Sequence, residues 1–597
     1  MNAYKISSVN PAAHYFDVEL TISKPDSAGQ IIRLPGWIPG SYMVRDFAKN
    51  IVEISAVSDG VDITLTQLDK SSWQIAPCDD EVIVSYKVYS WDLSVRSAHL
   101  DATHGFFNGT SVFLEVVGQA DQPCMVEIIR PECEGSDQWR LATTLPTNSG
   151  KEFEFEFGQF KAENYNELID HPVEMGCFTQ FEFIAGNIRH DVVLTGKFIC
   201  DEARVKQDLQ KICNHQIQFF SEPAPMSRYM FLVMVVGDGY GGLEHRSSTS
   251  LLCTRYNLPQ PGQSEQTDDY RDFLGLCSHE YFHSWNVKRI KPAVFDNPDL
   301  STEVYTPLLW AFEGITSYYD DLVLVRCGCI TIENYLELLG QTITRVQRTP
   351  GRLRQSAAES SFNAWSKFYK QDENSANAIV SYYAKGMIIA LIIDLKIRQL
   401  TYGKKSLDDV MLTLWGNFKS SGKGLDEFEI QAIVNNIVEQ DVSELLNQMI
   451  YGVEELPLEE LLKEVSIQIN YRVNSGSQDK GGKDKKDLPV SSLGVNVTES
   501  ESGLNLISLV ENKAGQLAGL SAGDVLIAIN DIKATLKSYN ALLQLSQPGT
   551  HHKLVFFRRD ELMYADVILD PAALDTAVLS INDNNSPALQ SWLQIKS

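Results

Sequence analysis

The chain has no excess of basic residues and no long run of apolar ones, and each absence removes a class of function. Its 597 residues carry 51 Lys and Arg against 78 Asp and Glu, a net charge of −27. Phosphate binding needs a basic face, so nucleic acid is not expected as a partner. The acidic balance serves solubility. No stretch reads as the roughly 20 apolar residues that span a bilayer, and no membrane-crossing segment is expected. The start, Met1 to Leu20, lacks a basic segment followed by an apolar run. A cleaved secretion signal is therefore not expected, and a cytoplasmic location is. The ten cysteines stand singly apart from Cys327 and Cys329, and reduced thiols follow from that expectation. A Cys-x-Cys metal or redox site is disfavoured at that pair, because nothing nearby supplies further ligands of the usual spacing. No internal repeat is visible.

What is present is a hydrophobic period that changes along the chain. The length allows three or four domains, each with its own core. Residues 1–170 carry short alternating runs, such as Val82 to Tyr89 and Glu152 to Phe157, between Gly, Pro and Asp clusters, and read as a β-sheet domain. Leu34 to Tyr42 is too rich in Pro and Gly for a regular element and must be a structured loop. Residues 171–460 read as a mostly helical domain with a β-rich segment at its start. Its apolar residues recur at three- and four-residue spacing near 203–221, 268–288, 306–326, 332–348, 379–400 and 405–418. Residues 461–575 read as β-rich again, with a period-two strand over Val465 to Val473 and a mobile loop at 474–487. Here Ser492-Leu-Gly-Val, Ala514-Gly-Gln-Leu-Ala-Gly-Leu and Gly523-Asp-Val-Leu-Ile-Ala-Ile-Asn resemble the carboxylate-binding loop and core of a PDZ domain. Residues 576–597 read as a C-terminal tail. The chain is thus expected to be multidomain, β-rich, then α-helical, then PDZ-like β+α.

The chemistry centres on His279-Glu-Tyr-Phe-His283. On a helix, positions i and i+4 share a face, so both imidazoles reach one cation, and Glu280 sits where it can take a proton from water. Phe273, Leu274, Cys277, Tyr281 and Trp285 supply the helical period, and Asp268 or Asp269 is expected to cap its start. Catalytic zinc takes three protein ligands and leaves one position open. A second His in His-x-x-Gly-x-x-His form is missing. Instead Glu313 follows, inside Leu309-Trp-Ala-Phe-Glu-Gly-Ile on a second helix. A carboxylate is expensive to bury in such a stretch unless a cation neutralises it, which makes Glu313 the candidate third ligand. Asp320, two turns on along the same face, is a candidate acceptor for the far N–H of a ligand histidine, with Asp321 or a backbone carbonyl as alternatives. Gly241 and Gly242 let a backbone approach a substrate closely, and Glu244 offers a carboxylate for a free amino group. Read alone, that segment is more often an ordinary Gly-rich turn than a binding strand. Tyr383, opening an apolar helix, is a candidate oxyanion donor, with packing as its plain alternative.

The ordered set Gly241-Gly-Leu-Glu-His, His279 to Pro292, Leu308 to Asp321 and Tyr382-Tyr-Ala-Lys-Gly, followed by the PDZ-like segment, resembles the glycyl aminopeptidase family of gluzincin metallopeptidases. Pro35 to Tyr42, His104 to Gly109 and Asp170 to Gly176 resemble the same family's β-domain. The resemblance implies a thermolysin-like catalytic domain and one zinc ion held by His279, His283 and Glu313. It implies Glu280 as base, Tyr383 as transition-state donor, and Glu244 as the group binding a peptide's free N-terminus, with His245 only its neighbour. Gly-Gly-Leu-Glu-His stands where related aminopeptidases have Gly-x-Met-Glu-Asn. The implied substrates are peptides with N-terminal Gly or small residues such as Ala. An endopeptidase on the same site, or an inactive PDZ scaffold, are the rival readings. A complete ligand set beside a general base speaks against the scaffold.

Overall fold

The structure, a computed structural model, describes residues 1–148, 155–486 and 488–594. It divides into two compact units, Met1–Val304 with Trp415–Leu425 and Tyr305–Leu414 with Asp426–Ser597.

The first unit begins with the expected strands. A seven-stranded sheet runs Gly158–Ala162, Cys124–Ile128, Asn2–Ser7, Tyr15–Ile22, Val82–Tyr89, Ile51–Ser58, Val61–Ile63. Alternation fixes its buried face: Phe16, Val18, Leu20 and Ile22 on one strand and Val82, Val84, Tyr86 and Val88 on its neighbour are all buried. The first half of the alternating run at Glu152 to Phe157, residues 152–154, lies outside the described residues. Two four-stranded sheets complete this region. The loop Leu34 to Tyr42 is held by its backbone and its tryptophan. Gly36 N–H donates to Leu300 O at 2.7 Å and Trp37 Nε1 donates to Thr302 O at 2.8 Å.

Further along, the same unit holds a five-stranded mixed sheet ordered Thr179–Ala185, Ile188–Gly196, Arg228–Val236, Ser248–Thr254, Gly241–Glu244. The central strands are parallel, joined by the helix Glu202–Phe220 as a parallel pair requires. Val205, Leu209, Ile212, Cys213, Ile217 and Phe220 bury one stripe of that helix. Gly241–Glu244 forms the sheet's edge, antiparallel to Ser248–Thr254 with Glu244 opposite Thr249. The helix Asp268–Phe282 packs on these two strands.

In the second unit the long helix Tyr382–Leu400 is almost wholly buried. The stretch Ser375–Leu400 is long and apolar enough to cross a membrane, contrary to the sequence reading, but 83% of its apolar window is buried inside the protein. Core packing accounts for its composition. Asp394, fully buried on this helix, accepts from Tyr318 Oη at 2.6 Å and pairs with Arg398 Nε at 3.1 Å, so its charge is matched. The helix lies against Gly314–Arg326 where two glycines meet. A Cβ on Gly314 would fall 2.5 Å from Gly386 Cα, and one on Gly386 would fall 2.6 Å from Trp310 O.

Residues 491–571 form an antiparallel sheet ordered Val495–Ser500, Gly503–Leu509, Val525–Ile529, His551–Arg558, Glu561–Ile568, with helices Ala514–Leu517 and Leu536–Leu545. Leu504, Leu526, Leu554 and Phe556 are in its core. Two segments differ from the sequence expectation. The loop beginning at 474 is anchored, because Asp479 is buried and takes both Arg472 Nη1 at 2.6 Å and Arg472 Nη2 at 2.9 Å. The expected tail is structured: Leu574–Ile581 pairs with Ile467–Val473, and the helix Pro587–Leu593 buries Trp592, whose Nε1 donates to Tyr318 Oη at 2.9 Å.

The glycine contact yields a stability prediction. Gly→Ala in a helix interior ordinarily stabilises by roughly 0.5–1 kcal/mol. At Gly314 or Gly386 the added methyl meets backbone, so each Ala variant is expected to lose about 1–3 kcal/mol instead. Denaturant unfolding checks this, and unchanged or raised stability would show that the helices separate freely.

Candidate metal centre and substrate site

The helix Asp268–Phe282 starts at Thr267, whose hydroxyl accepts from Tyr270 N–H at 3.1 Å. Asp268 and Asp269, expected as caps, lie one step inside, in the first turn, where their charge complements the helix dipole. At the other end the two histidines face one another, with ring centroids 4.6 Å apart and Nε2 atoms 3.0 Å apart. His283 Nδ1 lies 2.6 Å from Asn286 O, and a carbonyl can only accept, so Nδ1 carries the proton. His283 Nε2 is therefore a lone pair aimed at the second imidazole. Two imidazole nitrogens so placed, one held by a backbone carbonyl through its far nitrogen, suit a cation such as zinc.

Glu280 is 5% exposed and abuts the edge strand. A Cβ on Gly242 would come within 2.0 Å of Glu280 Oε1. Only glycine there lets strand and carboxylate share the space. Gly242 O in turn accepts from Arg96 Nη2 at 2.8 Å, and Gly241 lies beside the same guanidinium. Burial first, then the charge of Glu280, push the Tyr229 phenol well above its ordinary pKa.

Glu244 ends that strand, 3% exposed, and a Cβ on Gly40 would come within 2.4 Å of its Oε1. Gly40 has φ +99°, so glycine is required there twice over. One ligand atom from each of Glu244, Glu280 and His283 lie within 4.8 Å of one another. Among the described residues Glu244 Oε1 has no hydrogen-bond partner. It faces a cavity of about 120 Å³ whose walls include Trp37, Tyr42, Asp170, His245 and Lys288. Asp170 Oδ1 pairs with Lys288 Nζ at 2.9 Å and lies 3.4 Å from His245 Nδ1, while Asp170 Oδ2 accepts from Arg246 N–H at 3.0 Å. Burial alone would raise the Asp170 carboxyl, but Lys288, His245 and Arg246 together hold it well below the usual range. Sequence reasoning gave Asp170 and Lys288 no role. They lie far apart in the chain and carry no periodic signal, and their only trace is membership of two family-like motifs.

The remaining candidates belong to the second unit. Glu313 is 2% exposed and joins the short helix Leu309–Phe312 to Gly314–Arg326, its N–H donating to Leu309 O at 2.8 Å. Its carboxylate contributes to raising the Tyr382 phenol, after burial and the neighbouring tyrosines. Asp320 is half-buried, and its Oδ1 accepts from Asp321 N–H at 2.6 Å. Tyr383 is in the first turn of its helix, behind Ser381, whose hydroxyl caps Ala384 N–H. Its hydroxyl lies 3.1 Å from Tyr369 Oη, which also meets Tyr382 Oη at 3.0 Å. Cys327 and Cys329 form no disulfide, and Cys327 Sγ lies 3.5 Å from Cys329 Sγ.

Comparison with known proteins places these residues in a family. Residues 3–177 match the Peptidase M61 N-terminal domain, and residues 272–389 match the M61 glycyl aminopeptidase family. Curated proteins give no match. Among solved structures, an aminopeptidase N family protein from Idiomarina loihiensis is 42% identical and superposes with a TM-score of 0.95, over 99% of this chain and 100% of that one. An M1 zinc metallopeptidase from Deinococcus radiodurans is 12% identical, over 76% of this chain and 94% of that one, with a TM-score of 0.45. Aminopeptidase A of Legionella pneumophila is also 12% identical, over 75% and 48%, with a TM-score of 0.47. With 42% identity across its whole length to a solved aminopeptidase N family protein, and with both M61 segments matched, this chain belongs to the M61 glycyl aminopeptidase family.

Proposed function

We propose that the protein is a zinc-dependent aminopeptidase that removes Gly, or another small residue such as Ala, from the N-terminus of peptides. The observation that carries this reading is the grouping of Glu244 with Glu280 and His283, with Glu244 Oε1 unpartnered at the wall of a cavity. A buried carboxylate needs a cation or donors, and a peptide's terminal ammonium supplies both. An endopeptidase would leave Glu244 buried and unmatched in every catalytic cycle, and a scaffold has no use for Glu280 against Gly242.

His279, His283 and Glu313 would hold the zinc in this proposal, and the Asn286 carbonyl keeps the His283 proton on Nδ1, which leaves Nε2 able to bind a cation. When bound, zinc polarises the scissile carbonyl and lowers the pKa of water. Glu280 takes the proton of the attacking water and returns it to the leaving amine. Glu244 holds the terminal ammonium and so restricts cleavage to the first peptide bond. Tyr383 donates its hydroxyl proton in a hydrogen bond to the developing oxyanion, and the shared Tyr369 hydroxyl orients it. Asp320 belongs to the same proposal as an orienting carboxylate for a ligand histidine. The sheet at Val495 to Ile568 is proposed to be a PDZ-like module that takes an extended chain or chain end by β-augmentation.

Free and N-acetylated Gly- and Ala-amides, with and without chelator, test the reading. Cleavage should be confined to free amines and vanish with chelator. Glu280→Gln should lower kcat by on the order of 10³ while the protein still binds zinc. Cleavage of the blocked amides at a comparable rate would establish an endopeptidase and remove the role of Glu244.

The close approach at Gly242 gives a separate prediction. Gly242→Ala places a methyl where Glu280 Oε1 now lies, and kcat should fall by about 10² at unchanged zinc content. Normal turnover would show that Glu280 acts from another position.

A further inference from the structure

The polar groups around the 120 Å³ cavity are more numerous than one carboxylate contact would use. A terminal ammonium has three N–H donors, and one buried beside Glu244 needs an acceptor for more than one of them. His245 lines the same cavity, is 1% exposed, and neither of its ring nitrogens makes a hydrogen bond of ordinary geometry among the described residues. Its Nδ1 faces Asp170 Oδ1 at 3.4 Å. Asp170 Oδ1, already paired with Lys288 at 2.9 Å, is a carboxylate acceptor on the Nδ1 side of the ring and so favours the proton on that nitrogen. With the proton on Nδ1, Nε2 keeps its lone pair.

We propose that His245 is the second acceptor for the substrate's terminal ammonium, its Nε2 lone pair acting beside the Glu244 carboxylate, with Asp170 and Lys288 as the positioning pair that fixes its tautomer. The inference rests on the aminopeptidase reading above. It assigns amine recognition to a carboxylate and a neutral imidazole together. Asparagine follows the glutamate in the related Gly-x-Met-Glu-Asn pattern, and its amide oxygen is likewise an acceptor, so the chemistry asked of this position is the same.

The zinc-loaded enzyme, His245→Ala and His245→Asn are compared on Ala-p-nitroanilide, with ethylamine and acetohydroxamate as competing inhibitors. Ethylamine offers only an ammonium, and acetohydroxamate offers a metal-binding group with no amine. His245→Ala should raise KM and weaken ethylamine inhibition by about tenfold or more. Its kcat should change by less than about threefold, and acetohydroxamate inhibition should stay as in the wild type. His245→Asn should recover most of the lost amine affinity. Unchanged KM and ethylamine inhibition in His245→Ala would overturn the proposal, as would equal weakening of both inhibitors. If His245→Ala does not fold, His245→Gln and His245→Met carry the same contrast, since they are similar in size and only the first is an acceptor; equal behaviour of that pair overturns the proposal. Indifference of the wild-type enzyme to N-acetylation would sink the aminopeptidase reading itself, and that result is read before any variant is made.

Discussion

The site depends on one close approach, that of the edge strand Gly241–Glu244 to the helix carrying Glu280. It places two buried carboxylates within 4.8 Å of each other and of an imidazole. Carboxylates packed this closely and away from water favour a cation or hydrogen-bond donors beside them. Such an arrangement persists because the fold around it is rigid. The strand is locked in register to Ser248–Thr254, which continues a run of parallel strands, and the helix packs on both. Under the proposed function, a cation beside the imidazoles and a terminal ammonium at Glu244 would each supply the positive charge that this grouping favours.

Space for those carboxylates is made by missing side chains. Gly242 leaves room for Glu280, and Gly40 leaves room for Glu244 from a loop on the other side. In the second unit Gly314, directly after Glu313, lets its helix touch the Tyr382–Leu400 helix at Gly386. Each glutamate thus has a glycine beside it or against it. A carboxylate is positioned here as much by what its neighbours lack as by what it bonds to, and a search for hydrogen-bond partners alone would miss the device.

This explains what could be read from the sequence. The histidine pair was legible because helical spacing is local, and Glu280 came with it. Glu313 stood out because a charge in an apolar run has to be explained, and it is indeed buried. The Gly-rich segment before His245 was ambiguous between turn and strand, since four residues carry too little period to decide; pairing with Ser248–Thr254 settles it as a strand. The helix start was read one or two residues late, because Thr267 and the two aspartates after it all suit a cap and only geometry separates them. Residues 576–594 and the loop from 474 looked unstructured because their partners, Ile467–Val473 for the one and Arg472 with buried Asp479 for the other, are tertiary contacts that no local pattern announces. Asp170 and Lys288 were invisible for the same reason.

The orientation of His283 shows how the charge constraint reaches outward. A histidine that binds a cation is commonly turned by a carboxylate at its far nitrogen, which raises its basicity. Here the partner is the carbonyl of Asn286, three residues on in the turn that ends the helix. A carbonyl fixes the tautomer as firmly as a carboxylate does, and it adds no net charge. Glu244 and Glu280 each place a ligand atom within 4.8 Å of one on His283, so a carbonyl at Nδ1 orients the ring without a third carboxylate beside it. A turn that closes on its own carbonyl also ties the imidazole's direction to the backbone instead of to a flexible side chain.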